Sequence, residues 1–369
     1  MLDMAKVAAA IQGSEAEIWV DMSDAYRLLI ATWDALIKDP LFAYRVASVP
    51  SPPWALPSWH EPLANTVPVT PFRQAYTIIS TDGSQIFPDR HYGVSCGLIN
   101  IGTVTIPYHN DGLGVVLEND PILVLPDAYA EEISPHDFIT LKRQEYEFQY
   151  AVAAAQRIAE MQPAVLFDGS LIFWHLQAIP GYEVWVNRYT NFLLELERMR
   201  IPYSSYISAP KSKDLLNLAR LQLCNFNLTN QAAYAPIAPC TDATIMAHHL
   251  PVGYRSIFFR SNASVTNVYP PSQRPYFCYL HHETEIGRLE LPAWLVHDAA
   301  LRDYFISIVW DQLEKGEGYP IALAEAHEQA VVKGPDRQLF FVLLENASTR
   351  KNHSYVLSRK QLLKDIPRI

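Results

Sequence analysis

Apolar and polar residues follow two different periods along this chain, and their alternation predicts a mixed α/β fold. Residues 1–45 carry apolar positions at helical spacing, as in AKVAAAIQG and AYRLLIATWDALI. A proline-rich connector runs from Val49 to Pro71, and its proline density excludes a helix or a central strand. We therefore predict an N-terminal helical arm, followed by a connector that wraps over a surface with Trp54 and Trp59 as anchors.

The next part of the chain has the element order strand–strand–strand–helix–strand–helix. Three β-type runs at 76–80, 94–106 and 114–126 predict an antiparallel meander. Ser134-Pro135 suits the start of a long helix that ends near Met161. The later pattern predicts helices near 184–199, 212–223, 298–315, 321–332 and 336–346, and β-type segments at 164–167, 203–208, 256–259, 275–280 and 288–292.

This order is typical of an α/β fold with an RNase H-like mixed sheet flanked by helices, here with a β-rich insertion. The length of 369 residues allows one large domain or two modest ones. We divide the chain into residues 1–72, the arm and connector, and residues 73–369, the domain with the RNase H-like core.

Composition and charge narrow the classes of function. The net charge of -10 excludes a protein that coats nucleic acid over its whole surface, although a local basic groove is compatible with it. One basic stretch, from Arg350 to Arg368, is either a solvated helix face or a DNA contact.

The four cysteines are far apart and form no CxxC pair, which indicates reduced core thiols rather than a disulfide framework or a zinc site. The N-terminus has early acidic residues and no long apolar run, so we predict no signal peptide and no membrane span. We expect a soluble, cytoplasmic protein.

Asp82 and Asp168 each follow a β-type run and begin the tripeptide Asp-Gly-Ser. Asp-Gly is also an ordinary hairpin turn, and that is the alternative interpretation of either site. The AVLF run before Asp168 is too apolar for an exposed hairpin and predicts a central strand. Carboxylates at the ends of central strands are costly unless they are paired or bind a metal.

A third acid and a histidine complete the candidate metal centre. On a helix, Glu147 shares a face with Ala151 and Ala154, whereas Glu145 points elsewhere; we favour Glu147 without excluding Glu145. His327 lies on a helix, where the alternative is a hydrogen-bonded core histidine. Carboxylates favour Mg²⁺ or Mn²⁺, and the histidine shifts the preference toward Mn²⁺.

These residues lie in segments that resemble the NurA nuclease family. The similarity extends from about residue 76 to the C-terminus. The matching segments are TDGS (81–84), R-x-x-x-E from Arg143 to Glu147, LFDGSL (166–171), ISAPKS (207–212), GYPIALAEAH (318–327), the middle block HLPVGYRSIFF, PYFCYL and RLELP, and the closing pair Ser358 and Lys360.

The resemblance implies an RNase H-like core and a Mn²⁺-dependent nuclease that cuts DNA as a 5′-to-3′ exonuclease and as an endonuclease. It also implies a homodimer that works with a HerA-type hexameric ATPase translocase in DNA end resection and repair. By motif, Asp82, Glu147, Asp168 and His327 would be the catalytic and metal-binding residues. Tyr206 and Lys211 would contact substrate phosphate.

Two other functions are considered beside the nuclease. The first is a catalytically weak scaffold with the same fold, which docks on a DNA translocase. The second is a glycosidase that uses Asp82 and Asp168 as acid and base. All four candidate ligand positions carry ligand-type residues, which argues against the scaffold. The glycosidase leaves the third acid and the histidine unexplained.

Overall fold

The computed structural model describes residues 2–15, 19, 21–50, 52–89, 96–108, 114–125, 133–283 and 285–350. Apart from Arg350, the basic stretch lies outside the described residues, and so does the closing pair Ser358 and Lys360.

The strands among the described residues are β1 (Thr66–Pro68), β2 (Tyr76–Ile86), β3 (Gly97–Tyr108), β4 (Val116–Val124), β5 (Ala164–Asp168), β6 (Tyr203–Ile207), β7 (Tyr254–Ser256), β8 (Phe259–Arg260), β9 (Pro275–His282) and β10 (Glu285–Pro292). The α-helices are α1 (Met4–Gly13), α2 (Ser23–Leu36), α3 (Phe42–Ala47), α4 (Pro135–Arg157), α5 (Tyr182–Arg198), α6 (Asp214–Leu223), α7 (Asp242–His249), α8 (Ala293–His297), α9 (Ala299–Lys315), α10 (Ile321–Ala330) and α11 (Gly334–Arg350).

These strands form one mixed sheet in the order β1-β7-β9-β10-β6-β5-β2-β3-β4, with β8 paired to β9. Strands β2, β3 and β4 pair antiparallel, which confirms the predicted meander. Strand β5 then pairs parallel to β2, and β6 pairs parallel to β5. This arrangement of five strands, with α4 and α5 as the connections, confirms the RNase H-like mixed sheet flanked by helices. The β-rich insertion extends the same sheet beyond β6.

Helices cover both faces of the sheet because apolar side chains alternate along its strands. On one face, Ile79 and Val165 pack in a core with Phe148 of α4 and Tyr189 of α5. On the opposite face, the core contains residues of β2, β5, β10, α9 and α10, among them Ile78, Leu166, Leu289, Phe305 and Ala326. Ser134 caps α4 by accepting a hydrogen bond from the Asp137 amide, as the Ser-Pro start predicted.

The N-terminal helices pack against the body of the fold. Leu29 and Trp33 of α2 are fully buried in a third core with Leu216 of α6 and Ile245 of α7. No observation tests the division at residue 72, which stays a prediction.

Among the described residues of the proline-rich connector, the only named helix or strand is β1, a three-residue edge strand, which agrees with the prediction of no helix and no central strand. Its two tryptophans are anchored by aromatic contacts. Trp54 packs edge-on against Tyr234, with ring centroids 5.3 Å apart. Trp59 stacks on Phe42 at 6.2 Å. Each contact ties the connector to a neighbouring helical segment, as predicted for a segment that wraps over a surface.

The cysteines are all free and buried, which confirms the prediction of reduced core thiols. Within the described part of the chain, no helix has both the length and the apolarity needed to cross a bilayer.

Candidate metal centre

The two Asp-Gly-Ser segments lie side by side in the middle of the sheet. Parallel pairing of β2 with β5 ends at Thr81 and Phe167, and each aspartate is the next residue along its strand. Asp168 ends β5, as predicted. Asp82 does not end β2, which contradicts the prediction, because β2 continues to Ile86 in antiparallel pairing with β3. Neither segment is a hairpin turn, so that alternative is wrong for both.

The carboxylates of these aspartates are held in the same way. Asp82 Oδ1 accepts a hydrogen bond from the Gly83 amide at 2.7 Å, and Asp168 Oδ1 accepts one from the Gly169 amide at 2.9 Å. Each contact fixes one carboxylate oxygen of the side chain. The other oxygen of Asp82, Oδ2, faces His327.

Glu147 reaches the first Asp-Gly-Ser segment from α4 because residue 83 is a glycine. A Cβ atom built on Gly83 would lie 2.7 Å from Glu147 Oε1 and 2.7 Å from Arg143 Cγ, closer than side chains pack. The Thr81 hydroxyl donates to the Glu147 carbonyl oxygen at 3.0 Å, which fixes this turn of the helix against β2. Any larger residue at position 83 would push Glu147 away from Asp82.

Glu145 is occupied elsewhere. Its Oε2 accepts a hydrogen bond from Lys142 Nζ at 2.6 Å and lies 3.8 Å from Arg188 Nη1. Of the two glutamates left open by the sequence, Glu147 is therefore the one beside the aspartates. Its role as a ligand stays a prediction.

His327 lies at the opposite side of the centre, near the end of α10. Its side chain is 64% exposed, and its Nδ1 lies 2.9 Å from Asp82 Oδ2. The alternative of a core histidine is therefore wrong. Gly102 of β3, which pairs with Asp82, allows this approach: a Cβ there would lie 2.5 Å from the Ala326 carbonyl oxygen. Asn100 Nδ2 also donates to the Ala330 carbonyl oxygen at 2.8 Å, which ties α10 to the sheet.

Asp82, Glu147 and Asp168 line one small cavity of about 20 Å³. That volume holds about one water-sized ligand. Burial raises the pKa of Glu147 to about 8, and the charges of Asp82 and Asp168 add to the rise, although Arg143 opposes it. Desolvation, followed by the charge of Asp82, also raises the pKa of Asp168. Three carboxylates therefore repel one another around a space that a cation would fill.

The donor set fits a hard divalent cation. Glu147 Oε1 is buried without a hydrogen bond to any described residue, although it forms an ion pair with Arg143 Nη1 at 3.4 Å. A buried carboxylate oxygen that lacks a hydrogen bond and faces a polar cavity suits a metal ligand. In the described residues no group of three or more His, Cys, Asp or Glu side chains is already arranged to hold a metal ion. The three candidate carboxylates share a cavity, but they are not arranged as a preformed coordination shell.

Two residues at this centre were not selected from the sequence as site residues. Arg143 Nη1 donates to the Gly83 carbonyl oxygen at 2.7 Å and pairs with Glu147, so it brings a positive charge to the acidic cluster. The Tyr319 hydroxyl forms a hydrogen bond with Asp168 that lowers the pKa of the aspartate. Both residues lie within segments that carried the family resemblance: Arg143 begins R-x-x-x-E, and Tyr319 lies in GYPIALAEAH.

The two predicted phosphate contacts lie in different surroundings. Tyr206 is 1% exposed, and its hydroxyl fills the space above Gly287, where a Cβ would lie 2.3 Å from it. This placement gives Tyr206 a packing role and does not support direct contact with substrate, because the ring belongs to the core. Lys211 is exposed and lines a larger cavity beside the centre. Its role remains a prediction.

A buried charged network supports the loop after Asp168, and sequence reasoning missed it. Glu290 Oε2 accepts hydrogen bonds from the Leu171 amide and the Ser170 hydroxyl, both at 2.8 Å. Arg288 donates from Nε to Glu290 Oε1 and from Nη1 to Asp214 Oδ2, again at 2.8 Å each. Both partners in β10 are at most 2% exposed. The network therefore fixes the chain just beyond the second aspartate.

Comparison with known proteins gives one family match. The sequence profile of the NurA domain matches residues 76–332, which include the four residues predicted as metal ligands. Two solved structures are similar in fold. A crystal structure of NurA shares 8% identity with a TM-score of 0.41, covering 76% of this chain and 90% of that one. A crystal structure of NurA with manganese shares 9% identity with a TM-score of 0.37, covering 92% and 99%. No curated protein sequence gives a significant match.

Proposed function

The chain belongs to the NurA domain family, and from that premise we propose that it is a metal-dependent deoxyribonuclease that hydrolyses phosphodiester bonds. Membership implies a function of the nuclease type. The observation that carries the finer proposal is the convergence of Asp82, Glu147 and Asp168 on one small cavity, with His327 bonded to Asp82. Such a set of oxygen ligands suits cations that bind phosphate.

The four residues have distinct tasks in this proposal. Asp82, Glu147 and Asp168 would supply carboxylate oxygens to divalent cations. When bound, such ions activate a water molecule and stabilise the leaving oxygen of a phosphodiester. In the neutral tautomer that donates from His327 Nδ1 to Asp82 Oδ2, the imidazole proton lies on Nδ1. That tautomer leaves His327 Nε2 with a lone pair, which is the form that binds a metal.

Manganese is the proposed ion, with magnesium as the alternative. Carboxylate oxygens suit both cations, whereas an imidazole nitrogen is a better ligand for Mn²⁺ than for Mg²⁺. The Tyr319 hydroxyl and the Gly169 amide would orient Asp168 for either ion, because both bond to its carboxylate.

The remaining features of the proposal are supported by family membership alone. We propose that the enzyme acts as a 5′-to-3′ exonuclease and a single-strand endonuclease in DNA end resection and repair. Its partners would be DNA, a second copy of the same chain and a HerA-type hexameric ATPase translocase. We also propose that it works in the cytoplasm.

A cleavage assay with three metal conditions tests this function. End-labelled single-stranded DNA, duplex DNA and a circular single strand are each incubated with the protein in Mn²⁺, Mg²⁺ or EDTA. We expect cleavage in Mn²⁺, slower cleavage in Mg²⁺ and none in EDTA, because chelation removes the ions on which the carboxylates depend. Adding Mn²⁺ in excess of the chelator should restore cleavage.

Two results would contradict the proposal. Cleavage that continues unchanged in EDTA would show that the carboxylate cluster works without a metal. Intact DNA in every condition, from protein that is folded by circular dichroism, would favour the non-catalytic scaffold.

A further inference from the structure

A second, larger cavity adjoins the candidate metal centre. It has a volume of about 570 Å³ and lies between the loop that follows β5 and the loop that joins β6 to α6. Ser170 lines both this cavity and the small one that holds the carboxylates. Molecules in the two spaces would therefore be neighbours. The volume is within the range of pockets that hold one small organic molecule.

The free charge of this cavity is positive, although the protein as a whole is acidic. Its rim carries Lys211, Lys213 and Arg220. The carboxylates of its floor are engaged by buried partners, since Glu290 and Asp214 both accept hydrogen bonds from Arg288. Lys211 itself is exposed and has no hydrogen bond or ion pair with a described residue. An unpaired lysine here favours an anionic ligand.

The cavity also offers an aromatic surface. Trp174 lines this cavity with a side chain that is 43% exposed. The residue lies in the short helical turn directly after the Asp168 loop. Its backbone amide donates to the Ile172 carbonyl oxygen at 2.7 Å, and the neighbouring Leu176 is fully buried. The backbone that carries the indole is thus fixed, while the ring itself remains exposed. Trp54, on the other side, is covered by Tyr234 and Arg220.

We propose that this cavity binds one nucleotide of single-stranded DNA, next to the bond that is cut, with its base stacked on Trp174 and its phosphate at Lys211. The proposal rests on the nuclease function above and assigns the residue that holds the base; the phosphate contact at Lys211 is the one that the family resemblance implies. Aromatic stacking combined with basic groups is how single strands are held without sequence preference.

Binding to DNA is measured first without catalysis. Fluorescence anisotropy of a labelled oligothymidine in EDTA gives the dissociation constants of wild type, W174A, W174F and K211A. We expect W174A and K211A each to weaken binding by about tenfold, since one stacked base and one phosphate contact contribute roughly that much. W174F should recover most of the loss, because phenylalanine still stacks. Matched controls are W19A and K38A, at exposed positions outside the cavity, which should bind as wild type does.

A substrate that lacks one base tests the stacking contact itself. In Mn²⁺, W174A should raise KM for single-stranded DNA about tenfold and leave kcat within about twofold, because the base contact is made equally before and during the reaction. An oligonucleotide with a single abasic site is then cleaved next to that site. On this substrate W174A should raise KM by no more than about twofold, because the base that would stack is gone.

The outcomes separate this inference from the proposed function. If wild type cleaves DNA but W174A and K211A bind and cleave as it does, the nucleotide site is refuted and the nuclease stands. If the wild-type protein binds the oligothymidine, both substitutions weaken that binding and no variant cleaves DNA, the binding site is supported and the nuclease function is refuted. Equal losses from W174A on intact and abasic DNA would also overturn stacking on this residue.

Discussion

Replacing Asp168 with asparagine is expected to lower the rate of Mn²⁺-dependent DNA cleavage by roughly a thousandfold, an effect typical of losing one essential group from a catalytic centre. The substitution keeps the size of the side chain but removes the charge that holds a cation. Stability should not fall, because the carboxylate is an unfavourable group in the metal-free protein: its pKa is raised by desolvation and by Asp82. The measurement is kcat/KM on single-stranded DNA, together with urea unfolding.

The matched control is Asp24→Asn, since the Asp24 side chain is 96% exposed on α2. It should leave the cleavage rate unchanged and lower the free energy of unfolding by less than about 1 kcal/mol, because it removes only an exposed ion pair with Arg27. An Asp168→Asn protein that cleaves as fast as wild type in Mn²⁺ would remove this residue from the catalytic centre.

The largest loss of stability is expected from Arg288→Met, which should lower the free energy of unfolding by about 3–5 kcal/mol. Arg288 is 2% exposed and pairs with Asp214 and Glu290, both buried. A methionine fills similar space but leaves these carboxylates without a counter-charge. Urea unfolding at neutral pH measures the loss. Arg157→Met, which breaks an exposed pair with Glu118, is the control and should cost less than about 1 kcal/mol.

The loss from Arg288→Met should depend on pH. The neighbouring Asp242 is buried, and desolvation followed by the charge of Asp214 raises its pKa to about 6. Without the positive charge of Arg288, the pKa of Asp242 would rise further. When a carboxyl group has a raised pKa in the folded state, the folded protein becomes less stable as the pH rises through that pKa. The loss of unfolding free energy in Arg288→Met should therefore be larger at pH 8 than at pH 5. A deficit independent of pH would assign it to packing instead of charge.

Much of the fold was predictable because apolar residues recur at clear helical or strand spacings along the chain. The meander, the long helix after Ser134 and the apolar strand before Asp168 all follow from local patterns, and the structure confirms them. The strand order of the core then follows from that sequence of elements. The extent of β2 was not predictable in the same way, because Asp82-Gly83 has the composition of a turn, yet pairing with β3 carries the strand through it.

The candidate centre was predictable only in part. Spacing placed Glu147 on a small-residue face, and the structure brings that residue beside Asp82 and Asp168. The same reasoning left open that His327 is a core histidine, whereas its side chain is 64% exposed. Helical spacing predicts on which face of a helix a side chain lies. It does not predict whether the sheet covers that part of the face. Close packing at Gly102 decides how far α10 reaches.

The buried network illustrates what a single sequence conceals. Arg288 and Glu290 are two residues apart in a predicted strand, so they share a face, and this pattern could have marked them as a pair. Their other partner, Asp214, is distant in sequence and joins them only through the fold. Tyr206 shows the opposite case: the family resemblance implies a substrate contact, whereas the fold places this side chain in the core, so the contact stays a prediction.

Crystals soaked in Mn²⁺ and measured at the manganese absorption edge test the central claim most directly. An anomalous peak is expected in the small cavity, within coordination distance of carboxylate oxygens from Asp82, Glu147 and Asp168. Crystals of Asp168→Asn treated identically should show that peak lost or much reduced. Full occupancy of manganese elsewhere on the protein, with this cavity empty at the same Mn²⁺ concentration, would contradict the account.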